Sequence, residues 1–272
     1  MSYHRSGPFA ALNAIALAFA ASLSAPTTAS AHDGHIYSGP SVTLGQGTAR
    51  AWVMVDRNHK PKAIGVNFSE KALQTVDASS HGEHLTLLFP SQIAGTPFKH
   101  VFFNWNPHGH PPAHVWDKPH FDVHFYMTSP ADREAIAESD PAFAQKAENS
   151  PPAHYIPADH VKEPGAVPAM GAHWADKTTP ELHGQAFTHT MIYGAWDGKV
   201  TFIEPMIAKT VFERRQTVVA DIKQPPAVAI TGLYPTRYRI EFDAAAGEYR
   251  IALDNMVFRE SAEGEIGRQA SK

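Results

Sequence analysis

The chain has 272 residues, a formal net charge of −4 and no cysteine, which excludes disulfides and thiolate metal sites and leaves His, Asp and Glu as the strong metal ligands. So mild an acidic balance gives no electrostatic reason for nucleic acid or an anionic membrane as partner. With 22 prolines and 18 glycines, many short elements joined by turns are expected.

Residues 1–31 have the make-up of a cleaved export signal. Arg5 lies in a short n-region, Phe9 to Leu23 is apolar and Ala-rich, and Ala29-Ser30-Ala31 fits a small-residue cleavage site. No later run approaches the ~18 apolar residues of a spanning helix, so the expected location is periplasmic or secreted, with no membrane span. The expected limits are then 32–260 for a single β-rich metal-binding domain and 261–272 for a flexible tail. Cleavage would leave His32 as a terminal copper chelate, but mature termini usually fray and no supporting motif accompanies it.

Gly47 to Asp56 alternates as a strand, Arg57 to Pro61 is a turn, and Lys62 to Asn67 reads as the returning strand. Ser69 is placed to cap a helix over Glu70 to Val76. His59, His81 and His84 fall in polar, turn-like surroundings and are expected at the surface. Leu85 to Pro90 is a further short strand.

The chain's chemistry gathers next. Six of the 17 histidines lie between His100 and His124. Over Pro119 to Tyr126, Phe121, Val123 and Phe125 alternate with His120, Asp122, His124 and Tyr126, the pattern of a strand with one apolar and one ligand-bearing face. At roughly 3.3 Å per residue, neighbours on one face stand about 6.6 Å apart and can share an ion, whereas His120 and His124 would stand about 13 Å apart. That is too far for two imidazoles that each need about 2.0–2.1 Å to one zinc, unless a bulge brings them together. The preceding Asn104 to Pro112 is rigid and turn-rich, and His110 or His114 could complete the coordination.

The run Trp105-Asn106-Pro107-x-Gly109-His110, followed by Pro119-His120-Phe121-Asp122-x-His124-Phe125-Tyr126, resembles the signature of an uncharacterised family of exported bacterial proteins, a domain of unknown function. Met170-Gly171-x-His173-Trp174 and Phe202-Ile203-Glu204-Pro205-Met206 resemble it too, so the likeness spans most of the mature chain. It implies a histidine-centred site and no particular reaction. Pro111 stands where that family carries an acidic residue, which puts a carboxylate role there in doubt.

Ser129-Pro130-Ala131-Asp132 is a helix start, and Asp140-Pro141 begins a second short helix to about Glu148. Both read as a cover or a contact surface rather than chemistry. Residues 149–168 read as a linker or lid. Gln185 to Tyr193 and Lys199 to Ile207 form a hairpin in which Pro205 is expected to stop the ladder. Glu204, in an apolar run, needs a cation or a metal-bound imidazole if buried; His183 and His189 are weaker ligand candidates. A short helix near Ala208 to Arg214 and strands at Tyr238 to Phe242 and Glu248 to Phe258 complete the chain.

The sequence therefore predicts a mainly β fold, antiparallel sheets in a barrel or sandwich, with a few short helices and long Pro-rich loops. The expected function is a site for one divalent metal, zinc or copper, built from His110, His120, Asp122, His124, His173 and Glu204 and able to activate water. A small-molecule substrate is left open. The alternative is a non-catalytic, self-associating structural or ligand-binding module of the bacterial envelope, a homo-oligomer. Neither a phosphate-cradling glycine loop, a nucleophile elbow nor an HExxH pair is present.

Overall fold

The computed structural model describes residues 1–2, 34–78 and 82–262. The signal-peptide reading, His32, His81 and most of the tail lie outside these residues. The chain divides into two compact units, Met1–His32 and Asp33–Lys272, and all the elements below belong to the second.

Two seven-stranded antiparallel sheets make up the fold, and neither closes into a barrel. The first contains β1 (His35–Ser38), β2 (Val42–Leu44), β3 (Gly47–Val55), β4 (Pro61–Ser69), β12 (Val218–Asp221), β13 (Gly232–Asp243) and β14 (Glu248–Arg259), in the order β1-β3-β4-β14-β13-β12 with β2 paired to β3. The second contains β5 (Glu83–Leu88), β6 (His100–Asn106), β7 (His120–Tyr126), β8 (His160–Lys162), β9 (Ala172–Asp176), β10 (His189–Trp196) and β11 (Lys199–Ala208), in the order β5-β6-β7-β11-β10-β9-β8. β7 is thus an interior strand of its sheet.

The sheets share one core because their facing residues alternate apolar with period two. Phe121, Val123 and Phe125 of β7 join Phe103, Ile203, Phe68 and Ile251 in that core, and the Phe68 ring lies 5.2 Å from Phe121 and 5.7 Å from Phe103. By the same alternation His120, Asp122, His124 and Tyr126 face away from the core, yet β7 is buried along its whole length. Loops and a short helix cover this outer face. Trp116 and Phe187 form a small apolar cluster with Met206 on one part of it, and Phe102, Tyr126 and Phe202 form another with Met170.

The helices are α1 (Glu70–Thr75), α2 (Pro130–Glu134), α3 (Phe143–Glu148) and α4 (Lys209–Glu213). Their starts follow the sequence: the Ser69 side chain accepts from the Ala72 N–H and the Ser129 side chain from the Asp132 N–H. α2 contributes to the cover through Arg133, whose guanidinium carbon lies 3.9 Å from the Phe102 ring centroid. Among the described residues no helix is long and apolar enough to cross a membrane.

Three expectations are corrected. His84 lies in β5 rather than in a turn, although it is exposed. The 149–168 segment is only partly loop, since β8 pairs His160 with Asp176 at the sheet edge. Pro205 does not end its strand: it pairs with Met191 of β10, and β11 runs on to Ala208. Having no N–H to donate, it interrupts only the other ladder, where β11–β7 pairing reaches Ile203–Phe125 and resumes at Met206–Asp122.

Candidate metal centre

The six residues expected to bind metal fall into two groups of three, His110–His120–Asp122 and His124–His173–Glu204. Within each group the ligand atoms lie within 4.8 Å of one another. The strand's own geometry sets the division: His120 and His124 are four residues apart on a regular strand, so each gathers separate partners.

In the first group, His120 and Asp122 project from β7 and His110 comes from the Pro-rich loop that precedes it. That loop is closed on itself by a bond from the His110 N–H to the Trp116 carbonyl and tied to the end of β6 by one from the Gly109 N–H to the Asn106 carbonyl. The His110 and His120 rings meet edge to face, with centroids 4.8 Å apart. His120 Nε2 lies 3.0 Å from Asp122 Oδ1, and His110 Nε2 lies 3.5 Å from Asp122 Oδ2.

The far sides of these ligands are anchored. His120 Nδ1 bonds the Lys118 carbonyl at 2.7 Å, and His110 Nδ1 bonds the Pro111 carbonyl at 2.8 Å. Both are backbone acceptors, so each Nδ1 carries the proton and each Nε2 lone pair is turned inward. Asn106 Nδ2 donates to Asp122 Oδ2 at 2.6 Å, which leaves Oδ1 for other use. Buried His120 Nε2 and Asp122 Oδ1 have no hydrogen-bond partner despite their closeness. Both residues belong, with His110, to a group whose ligand atoms are close enough to hold one ion.

The second group draws on three strands: His124 from β7, Glu204 from β11 and His173 from β9. His124 Nε2 lies 3.4 Å from Glu204 Oε1, and His173 Nε2 lies 3.9 Å from Glu204 Oε2. His124 Nδ1 bonds the Phe102 carbonyl at 3.2 Å, again turning Nε2 inward. Buried His124 Nε2 and Glu204 Oε2 have no hydrogen-bond partner. To reach Glu204, His173 must look across β10, where it pairs with Gly194. A Cβ on Gly194 would stand 2.0 Å from the Phe202 ring, so only glycine leaves room for that ring to pack edge-on against His173.

Burial and charge set the protonation of this face. Burial alone would raise the Asp122 carboxyl, but His120 and His110 outweigh it and hold it well below the usual carboxylate range. Burial pushes His110 down, and the Asp122 carboxylate more than reverses that, raising it. Burial drives His124 down to about 3 and His173 down to about 4, against the opposing pull of Asp122. Glu204 is pushed well above its ordinary value by burial and by the Asp122 charge. In the second group, imidazoles kept neutral and a carboxyl short of positive charge are what a cation would complete.

Other histidines stay outside both groups. His114 is exposed, His183 bonds the Lys177 carbonyl, His189 bonds the Tyr238 hydroxyl, and His160 faces the Met191 carbonyl. Sequence reasoning missed Asn106 and Gly194. Asn106 stands opposite His120 across β6–β7, and its place in the Trp-Asn-Pro run was the available signal. Gly194 carried no signal without the strand order. One well-formed cavity, lined by Met127, Tyr155, Tyr193, Val200 and Tyr234 among others, includes none of the six residues.

Comparison of the chain with protein-family models, with curated proteins and with solved structures gives no match.

Proposed function

We propose that this is an exported metal-binding protein in which His110, His120 and Asp122 hold one divalent cation, zinc or copper, with a coordination position left for water. The observation that carries the reading is the buried pair of His120 Nε2 and Asp122 Oδ1, 3.0 Å apart and without a hydrogen-bond partner. A buried carboxylate oxygen and an imidazole nitrogen, each without a hydrogen-bond partner, are costly unless a cation draws on both. Two imidazoles with one carboxylate suit a borderline transition metal better than calcium or magnesium, which favour oxygen-only shells.

Three protein ligands are characteristic of zinc sites that keep a fourth place for water. His110 is the most accessible of the three, with its side chain 38% exposed, so solvent reaches the centre from the loop side. Water bound there would have its pKa lowered to about 7, which supports hydrolysis or hydration of a small molecule. Export rests on the leader-like sequence and on the resemblance to an exported family.

Elemental analysis of untagged mature protein from its native compartment tests the reading. Stoichiometric zinc or copper, lost on His120→Ala, supports it. Metal-free protein that retains an intact oligomer favours the self-associating module instead.

A further inference from the structure

We infer that His124, His173 and Glu204 form a second metal site, which takes its own divalent cation of the zinc or copper class. It stands on observations separate from those at the first centre, and either site can fail without the other. Glu204 is 1% exposed and His124 0%, yet Glu204 Oε2 and His124 Nε2 have no hydrogen-bond partner. His173 faces the same point from two strands away, with its side chain 20% exposed, and so marks the side from which an ion arrives.

The surroundings distinguish this site from the first. Its walls are aromatic: Phe202 lies edge-on to His124 at 4.9 Å and to His173 at 5.2 Å, while the Phe102 ring is 5.9 Å from His124. No thiolate is available anywhere in the chain, and one carboxylate with two imidazoles suits zinc or copper rather than a hard cation. The ion would tie together β7, β11 and β9 where the β7–β11 ladder is interrupted beside Pro205.

Asp122 and His124 are two residues apart on the same face of β7, so this one strand supplies a ligand to each of the two groups.

The test is zinc titration of the metal-stripped full chain, with bound metal counted after gel filtration, in the parent and in Glu204→Gln, His173→Gln and His120→Gln. Glu204→Gln keeps the side chain's size, and His173→Gln alters the more accessible ligand, so a folded variant is available even if one of them is lost. Circular dichroism confirms the fold of each variant. Two equivalents in the parent, falling to one in each variant, is the expected result. A parent count that Glu204→Gln and His173→Gln both leave unchanged would overturn the second site. A single equivalent that His120→Gln retains and Glu204→Gln loses would support the second site while overturning the proposed function of the first.

Discussion

The hydrogen bond from Asn106 Nδ2 to Asp122 Oδ2 gives a quantitative handle on the first centre. At 2.6 Å it is short, and its acceptor is a carboxylate held ionised. It stops Asp122 from rotating, so that Oδ1 stays facing His120 Nε2. Asn106→Ala removes the donor and leaves β6 otherwise intact, since residue 106 is the last of that strand and is only half-buried. A hydrogen bond to a charged group contributes about 1.5–3 kcal/mol, which corresponds to a factor of roughly 10–150 in an equilibrium constant. Loss of a group that orients a metal ligand typically weakens metal binding by about 10–100-fold, so the two routes agree. Zinc competition against a chromophoric chelator should show the first centre weakened by about 10–100-fold, with the second within experimental scatter of the parent. Equal weakening at both centres, or none at the first, would refute the assignment of Asp122 Oδ1 as the ligand atom.

Two further outcomes follow from the same face. His100 is fully buried and stacks on Tyr126 with ring centroids 4.9 Å apart, and burial and the Arg133 charge lower its pKa from 6.5 to about 4. Because the folded value is the lower one, the unfolded chain takes up the proton first; stability is complete above the unfolded value and is lost as pH falls from about 6.5 towards 4. At roughly 1.4 kcal/mol per pH unit the loss approaches about 3 kcal/mol, and urea unfolding of metal-stripped protein should show a shallower decline over that range in His100→Phe; parallel declines would count against it. Gly194→Ala places a methyl group 2.0 Å from the Phe202 ring, so overpacking should destabilise the fold by about 1–3 kcal/mol and displace Phe202 from its edge-on contact with His173. Thermal unfolding with zinc counting checks this, and a variant with parental stability that keeps both ions would contradict it.

Local signals were the readable ones. The alternation over 120–126 placed three ligands on one face of β7, and the serines at 69 and 129 announced the helix starts that the structure contains. The strand rise allowed His120 and His124 to share an ion only across a bulge, and the expected single site kept both; on the regular β7 they fall into separate groups. The sequence did not show which partners each would gather, because that depends on the order β7-β11-β10-β9, a property of pairings far apart along the chain. His173 meets Glu204 only because a glycine on the intervening strand leaves room. Pro205 misled for a related reason: a proline removes one donor on one side of a strand, and whether that ends a sheet depends on which neighbour needed the bond. The short helix carrying Arg133 was legible as cover, but which face it covers was not, and the covering Trp116 and Phe187 lie in irregular segments with no pattern of their own.

Diffraction from zinc-soaked crystals at the zinc absorption edge addresses the metal centre most directly. An anomalous peak about 2.0–2.2 Å from His120 Nε2 and Asp122 Oδ1, with His110 Nε2 completing the protein ligands, is the predicted result. Zinc found only on exposed side chains such as His114, with the space before His120 and Asp122 filled by ordered water, would contradict it.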